Sequence, residues 1–282
     1  DVLKTAMLEL SQVSEMGVDP TGPKVIIDAN LLLQPDFLQL AYQPKVSTRS
    51  GEALGVEALV RWRHPEHGDV SPAIFVALIE QEGRTGELLD IVMSMAARDR
   101  KRYRALASMP DISINISVLD LDDEELPRRA QKILLEAAPA ERWTFEVTET
   151  APITDVAPAL SILTRLRIAG FKLSVDDFGT GTSNYERLLV APFTELKIDR
   201  AMVSRLDINA DEPDPMVRSG IDVGHSLQLQ VVAEGVESVD QFRMVRDLGC
   251  DAAQGYLISP PVAPVQLDMA LDDWRRKFEY LS

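Results

Sequence analysis

The sequence of 282 residues contains one cysteine, Cys250, and only three histidines. A single cysteine excludes an internal disulfide and is typical of a reducing compartment, so we expect a cytoplasmic location. For Cys250 itself, a small buried residue is favoured over a reactive thiol. The sequence also has no Cys/His cluster of the kind that holds structural zinc.

Long hydrophobic runs are absent as well. No apolar stretch is long enough to cross a membrane, and no signal-peptide pattern opens the chain. The first residue is Asp1 rather than Met. We therefore expect a longer protein with an upstream sensory or regulatory domain, and this chain would be the cytoplasmic part if that protein is attached to a membrane.

Basic residues are the minority charge. The chain has 29 Lys and Arg against 45 Asp and Glu, which gives a net charge of −16. Nucleic-acid polymers and anionic lipids call for basic patches, so this balance argues against general binding to either. A small anionic substrate is still compatible, provided that metal ions or a few local cations reverse the field in one cleft.

The order of apolar segments predicts the fold class. Residues 1–36 are predicted to form an N-terminal helix and linker, and residues 37–282 form the main domain. Within the domain, β-rich segments alternate with helical patterns, which is typical of parallel strands with helices outside. A closed α/β barrel of the (β/α)8 type is predicted, although the first two strands could instead form a hairpin. The strands are predicted near residues 37–45, 54–62, 111–116, 142–147, 171–176, 194–198, 229–234 and 250–254.

Two adjacent carboxylates, Asp176 and Asp177, stand at the end of one of these predicted strands. Neighbouring side chains of a strand point to opposite faces, so both acids reach one site only where the strand gives way to a loop. Gly179 and Gly181 supply the backbone freedom for such a turn. Crowded carboxylates call for a cation or a proton between them, which indicates a metal site. A solvated acidic turn is the alternative.

The other strand ends add polar residues to the same rim, where a barrel of this type has its active site. Carboxylates with an amide oxygen suit Mg²⁺ or Mn²⁺, and five acids are more than one ion needs. Two metals would fit an in-line displacement at phosphorus, with the lysine orienting or deprotonating the water or offsetting developing charge. Taken singly, each residue could equally be a solvated strand end. The rim residues are Glu57, Asn115, Glu146, Asp176, Asp177, Lys197, Glu234 and Gln254.

The motifs around these residues resemble those of EAL domains, the bacterial cyclic di-GMP phosphodiesterases. The signature Glu57-Ala58-Leu59 continues as Val-Arg-Trp, and the resemblance extends over about residues 37–263. Further matching motifs lie at residues 42–44, 115–117, 146–149, 176–181, 196–199, 233–237 and 254–256. The resemblance implies a TIM-type barrel with one antiparallel strand. It also implies hydrolysis of cyclic di-GMP to linear pGpG with two Mg²⁺ or Mn²⁺ ions, whereas Ca²⁺ would bind without supporting turnover.

The resemblance also implies roles for individual residues. Asp176 would bridge the two metals, Asp177 and Glu234 would hold the second, and Lys197 would contact the attacking water. Glu149 would brace the loop after Asp177, which the family uses to couple dimerisation to activity, so a homodimer is expected. The remaining ligands of the first metal would be Glu57, Asn115 and Glu146. The substrate contacts would be Arg61, Gln43 and Gln254.

One segment departs from the family pattern. Thr182, Ser183 and Asn184 stand where family members often carry an aromatic residue and serines, which bears on loop packing and dimer coupling. A non-catalytic cyclic di-GMP receptor is the main alternative function, although no expected ligand is replaced. An enolase-type barrel with Lys197 as base is a further alternative, which the adjacent aspartates disfavour.

Overall fold

Short strands alternate with helices along the chain, close to the predicted positions. In the computed structural model, the described residues are 29–66, 68–148, 156–179, 190–206 and 214–281. The strands among them are β1 (Leu38–Ser47), β2 (Ala53–His64), β3 (Gly68–Val70), β4 (Ile112–Ile116), β5 (Trp143–Thr148), β6 (Lys172–Phe178), β7 (Glu195–Ile198), β8 (Gln230–Ala233) and β9 (Ala252–Gln254).

Eight of these strands close into a barrel. Strands β4 to β9 pair in parallel in chain order, and β2 pairs in parallel with β4. Strand β1 runs antiparallel to both of its neighbours, β2 and β9, and closes the ring. The short β3 pairs only with the far end of β2 and lies outside the barrel. The predicted barrel with one antiparallel strand is confirmed, and its first two strands are also a hairpin.

The helices surround the barrel. Proline at the first helical position begins the second of them after Ser71, although Ser71 makes no side-chain capping hydrogen bond. The third and fourth helices are separated only by Tyr103. The helices are α1 (Ala29–Leu32), α2 (Pro72–Gln81), α3 (Thr85–Arg102), α4 (Arg104–Ser108), α5 (Leu126–Leu134), α6 (Val156–Ile168), α7 (Arg200–Val203), α8 (Pro215–Ser226), α9 (Val239–Asp247) and α10 (Leu267–Glu279).

The apolar core lies between the strands and the helices rather than inside the barrel. In β4, Ile112, Ile114 and Ile116 are buried in this outer layer, whereas Ser113 and Asn115 alternate with them on the opposite face. Other (β/α)8 barrels fill the interior mainly with branched apolar residues. Here many of the inward positions are polar, among them Ser113, Glu146 and Lys197, although Val232 beside Lys197 is apolar.

Two further predictions concern the first residues of the chain and Cys250. Residues 1–28, most of the predicted helix and linker, lie outside the described residues, and the boundary at residue 37 stays a prediction. Cys250 is buried, as the sequence indicates, with 1% of its surface exposed. Throughout the described part of the chain, every helix is too short or too polar to span a membrane.

Candidate metal and substrate site

A buried lysine surrounded by carboxylates lies at the end of the barrel where the parallel strands finish. The Nζ atom of Lys197 lies 2.5 Å from Glu234 Oε1, 2.7 Å from Glu146 Oε2, 3.2 Å from Asp176 Oδ1 and 3.6 Å from Glu57 Oε2. Only 1% of the lysine side chain is exposed. Five predicted site residues from five different strands or their ends therefore meet at one point, which a set of unrelated solvated strand ends would not do.

Amide side chains fix the position of Glu57. Asn115 Nδ2 donates a hydrogen bond to Glu57 Oε1 at 2.8 Å, and Gln254 Nε2 donates to Glu57 Oε2 at 2.6 Å. Gln254 also donates to Gln43 Oε1 at 3.2 Å, and Gln43 Nε2 donates to the Ser259 carbonyl at 3.0 Å. Both glutamines are buried, so in this structure they hold the glutamate in place.

The expectation that Glu57 stands at a strand end is wrong. Glu57 lies within β2, opposite Gln43 of β1 and level with Ser113 of β4. Strand β2 continues to His64 because its last residues leave the barrel and pair with β3. Glu57 still reaches the rim, since the barrel itself ends near this level.

The adjacent aspartates also sit differently from the sequence expectation. Strand β6 does not give way to a loop at the pair but runs on to Phe178. Its register with β7 shifts between Val175 and Phe178, and Asp177 has a left-handed φ of 57°. This irregularity breaks the alternation of the strand, so both carboxylates can face one site. Asp177 N donates to Asp176 Oδ1 at 2.9 Å.

Three of the acids form a cluster that suits a cation. One carboxylate oxygen from each of Asp176, Asp177 and Glu234 lies within 4.8 Å of the other two. Oxygen donors of this kind match Mg²⁺ and Mn²⁺. The residues present therefore fit the divalent metals that the sequence predicts.

Burial and the crowding of negative charges raise the pKa values of three acids in the site. Burial raises the pKa of Glu146 to about 8 against the opposing charge of Lys197, with smaller contributions from neighbouring carboxylates. Burial and the charge of Asp176 raise the pKa of Asp177 to about 6. The pKa of Glu234 is also raised well above its usual value, chiefly by burial. Acids held in this way bind either protons or a metal, so the site calls for more positive charge than Lys197 supplies.

Two groups are instead held in their charged forms. Burial would raise the pKa of Glu57, but the charge of Lys197 and the hydrogen bonds from Asn115 and Gln254 lower it overall. Burial would likewise lower the pKa of Lys197, but the charges of Glu146 and the other carboxylates raise it well above its usual value. Lys197 is therefore a proton donor rather than a base in this arrangement.

The remaining predicted residues lie farther out or beyond the described chain. Arg61 is half-buried, on the same face of β2 as Glu57, and its Nη1 donates to the Val60 carbonyl at 2.9 Å. Glu149 lies outside the described residues, as do Gly181 and the segment 182–184. The brace predicted for Glu149 therefore stays a prediction.

Sequence reasoning missed a second buried ion pair inside the barrel. Lys45 Nζ lies 2.5 Å from Glu195 Oε2, and both side chains are buried. Glu195 precedes Lys197 by two residues and Lys45 follows Gln43 by two, so strand alternation places them on the inward face. That alternation could have found each residue, but not their pairing.

Comparison with known proteins agrees with this fold. The sequence model of the EAL domain family matches residues 28–261. The structure superposes on the PaMucR phosphodiesterase in its c-di-GMP complex with a TM-score of 0.77 and 34% identity, covering 85% of this chain and 98% of the other. The fold and the site thus define a barrel whose rim carries a cluster of acidic side chains that fits divalent metals. The chain belongs to the EAL domain family, which confirms the resemblance seen in its motifs.

The curated relatives are longer than this chain. A cyclic di-GMP phosphodiesterase of Pseudomonas aeruginosa is 37% identical over 242 residues, which cover 84% of this chain and 40% of that protein. The oxygen sensor protein DosP of Escherichia coli is 36% identical over 227 residues, which cover 80% of this chain and 28% of that protein. The chain thus spans well under half the length of the two relatives.

Proposed function

We propose that this chain hydrolyses cyclic di-GMP to linear pGpG with the help of two divalent cations, Mg²⁺ or Mn²⁺. The observation that carries the proposal is the complete set of carboxylates around Lys197, with four of them within 3.6 Å of its Nζ atom. The names of two P. aeruginosa relatives, both cyclic di-GMP phosphodiesterases at 36% identity or more, support the same substrate.

Each predicted ligand has a place in this proposal. Asp176 would be shared between the two ions, and Asp177 and Glu234 would hold the second ion with it. The first ion would be held by Glu57, Asn115 and Glu146 together with Asp176. When bound, such cations lower the pKa of a coordinated water and neutralise charge on the phosphate oxygens. Calcium, which takes larger and looser coordination, is expected to bind without supporting turnover.

Lys197 and the amide side chains supply the protein's own chemistry. Because Lys197 keeps its proton, it would donate a hydrogen bond to the attacking water and offset negative charge that develops in the transition state. Water adds across one P–O3′ bond of the ring, so the product carries a 5′-phosphate and a free 3′-hydroxyl. Arg61 would contact a phosphate of the substrate, and Gln43 and Gln254 would border the substrate, with Gln254 also holding Glu57.

The proposal extends to assembly and location. We expect a cytoplasmic homodimer whose activity is coupled to the loop after Asp177 through Glu149, under control of a further domain. The greater length of the relatives supports the last point, since one of them is named as an oxygen sensor and the match covers only 28% of it. Light scattering on the purified chain, with and without cyclic di-GMP, measures the dimer.

The test separates an enzyme from a binding module. Purified chain is incubated with cyclic di-GMP and Mg²⁺ or Mn²⁺, and the nucleotides are separated by chromatography, with EDTA and Ca²⁺ as controls. Formation of pGpG that requires Mg²⁺ or Mn²⁺ is the expected result. Normal binding of cyclic di-GMP without hydrolysis would instead identify a receptor and overturn the enzymatic proposal.

A further inference from the structure

The barrel interior contains a second group of charges next to the carboxylates around Lys197. Lys45 on β1 reaches Glu195 on β7, although β9 and β8 lie between these strands in the ring. The lysine side chain must therefore cross the interior of the barrel. Lys45 and Glu195 are only 3% and 4% exposed, so the ion pair is removed from water.

This ion pair is not explained by stability. Burying two charges carries a desolvation cost that their attraction offsets only in part, and apolar replacements of buried pairs are often neutral or stabilising. Branched apolar residues occupy such positions in ordinary barrels. The presence of the pair inside the barrel therefore indicates a role in the neighbouring carboxylate site around Lys197.

The pair lies at the same level of the barrel as one of the proposed metal ligands, two strands away from it. Glu146, Ser174 and Glu195 stand level with each other on β5, β6 and β7, and their side chains share the inward face. Burial would lower the pKa of Lys45, but the charges of Glu195, Asp111 and Glu146 raise it overall, so Glu146 is within electrostatic reach of the lysine.

Glu195 determines which carboxylate Lys45 neutralises. If its charge were lost, the acids next in influence on Lys45 would be Asp111 and Glu146. Asp111 already accepts a hydrogen bond from Thr144 at 2.7 Å and lies 3.7 Å from Lys172 Nζ. Glu146 would then attract the freed ammonium group, which would oppose a divalent cation at the same carboxylate.

We propose that Glu195 is a positioning residue that holds Lys45 away from Glu146 and so keeps this carboxylate available to a divalent cation. The inference rests on the proposed function, because it concerns the metal site of the same reaction. It goes beyond it by assigning a role to two residues that touch neither the predicted metals nor the substrate.

The test measures Mn²⁺ binding directly, by calorimetry on metal-free protein. Glu195→Gln removes the charge with little change of shape, and we expect its Mn²⁺ affinity to fall by roughly tenfold or more, as one uncompensated charge near a divalent ion requires. The double variant Lys45→Met with Glu195→Gln removes both charges and should bind Mn²⁺ with wild-type affinity. Turnover by Glu195→Gln should recover when Mn²⁺ is raised to saturation.

A matched control separates positioning from structure. Asp99→Asn removes another buried carboxylate, one that accepts a hydrogen bond from Tyr42 outside the barrel interior, and should leave Mn²⁺ affinity unchanged. Should Glu195→Gln fail to fold, Glu195→Asp gives the same comparison, because its shorter side chain loosens the contact with Lys45.

Four outcomes decide the inference. Weaker Mn²⁺ binding by the single variant together with recovery in the double variant supports it. Equal binding by the wild type and the folded single variant overturns it, and so does a double variant that stays weak. Failure of the wild type itself to bind Mn²⁺ would instead overturn the proposed function, and the inference with it.

Discussion

The Nζ atom of Lys197 lies 2.5 Å from Oε1 of Glu234, a carboxylate that also belongs to the cluster with Asp176 and Asp177. The lysine therefore contacts oxygens that a divalent cation would use. It is both the internal counter-ion of the metal-free site and the proposed partner of the attacking water. Removing Lys197 should therefore favour metal binding, because a competing charge is lost, and impair turnover, because the attacking water loses its hydrogen-bond donor.

Substitution Lys197→Met should separate metal binding from catalysis. We expect turnover of cyclic di-GMP to fall by about 100-fold to 1000-fold, the usual effect of removing one transition-state donor. Mn²⁺ affinity should stay equal or increase, because a competing charge has gone. Steady-state kinetics and calorimetry on the same preparation measure the two effects, and loss of Mn²⁺ binding in the folded variant would contradict the assignment.

The substitution Asp177→Asn should remove one metal. Asparagine tolerates the left-handed backbone that Asp177 adopts, with φ of 57°, so the bulge should persist. The second ion loses a charged ligand, and we expect metal content at equilibrium to fall from two ions per chain to one. Elemental analysis after gel filtration gives the ratio. Asp240→Asn, on an exposed residue of α9, is the control and should retain both ions.

Stability of the metal-free protein should fall as the pH rises. The pKa of Glu146 is raised from 4.5 to about 8 in the folded state, so between these values the folded chain holds a proton that the unfolded chain has released. This contribution is present at low pH and is lost as the pH rises through about 8. Asp177 acts in the same direction between 3.8 and about 6. For each such proton the slope is at most about 1.4 kcal/mol per pH unit.

Urea unfolding in EDTA at several pH values measures this trend. Saturating Mn²⁺ should reverse it, because the metal displaces the protons and binds more tightly as the carboxylates ionise. A free energy of unfolding that rises with pH in EDTA would show that the buried carboxylates are already ionised without metal.

The thiol of Cys250 should be unreactive in the folded protein. Burial, with a smaller effect of Asp251, raises the pKa of Cys250 to about 12, and only the thiolate reacts with alkylating agents. Mass spectrometry after iodoacetamide treatment should show no label on native protein and complete label in urea. Rapid native labelling would show that this part of the chain opens far more readily than its packing implies.

The sequence allowed much of this site to be predicted, because strand ends in a barrel meet at one rim. Asn115, Glu146, Asp176 and Lys197 could be brought together from alternation and topology, whereas Glu57 lies within β2, which continues past the barrel to His64. The bulge at Asp177 could not, since a register shift depends on how β6 and β7 pair and not on the residues of one strand.

Non-local partners account for what else was missed. Lys45 and Glu195 are 150 residues apart, and each is an ordinary strand residue until the barrel closes. The packing of helix α10 could not be predicted either, because it depends on contacts with residues far away in the sequence. Trp274 in this helix donates a hydrogen bond to the Gly51 carbonyl at 2.8 Å, across 223 residues of sequence.

The central claim is that the carboxylate rim forms a hydrolytic metal site, and turnover by wild type and Glu57→Ala tests it most directly. Glu57 accepts bonds from Asn115 and Gln254 and is a predicted ligand of the first metal. With Mn²⁺ present, we expect wild type to convert cyclic di-GMP to pGpG and the variant to be at least about 100-fold slower, since a metal supplies several kcal/mol of transition-state stabilisation. Equal turnover by a folded Glu57→Ala variant would contradict the account.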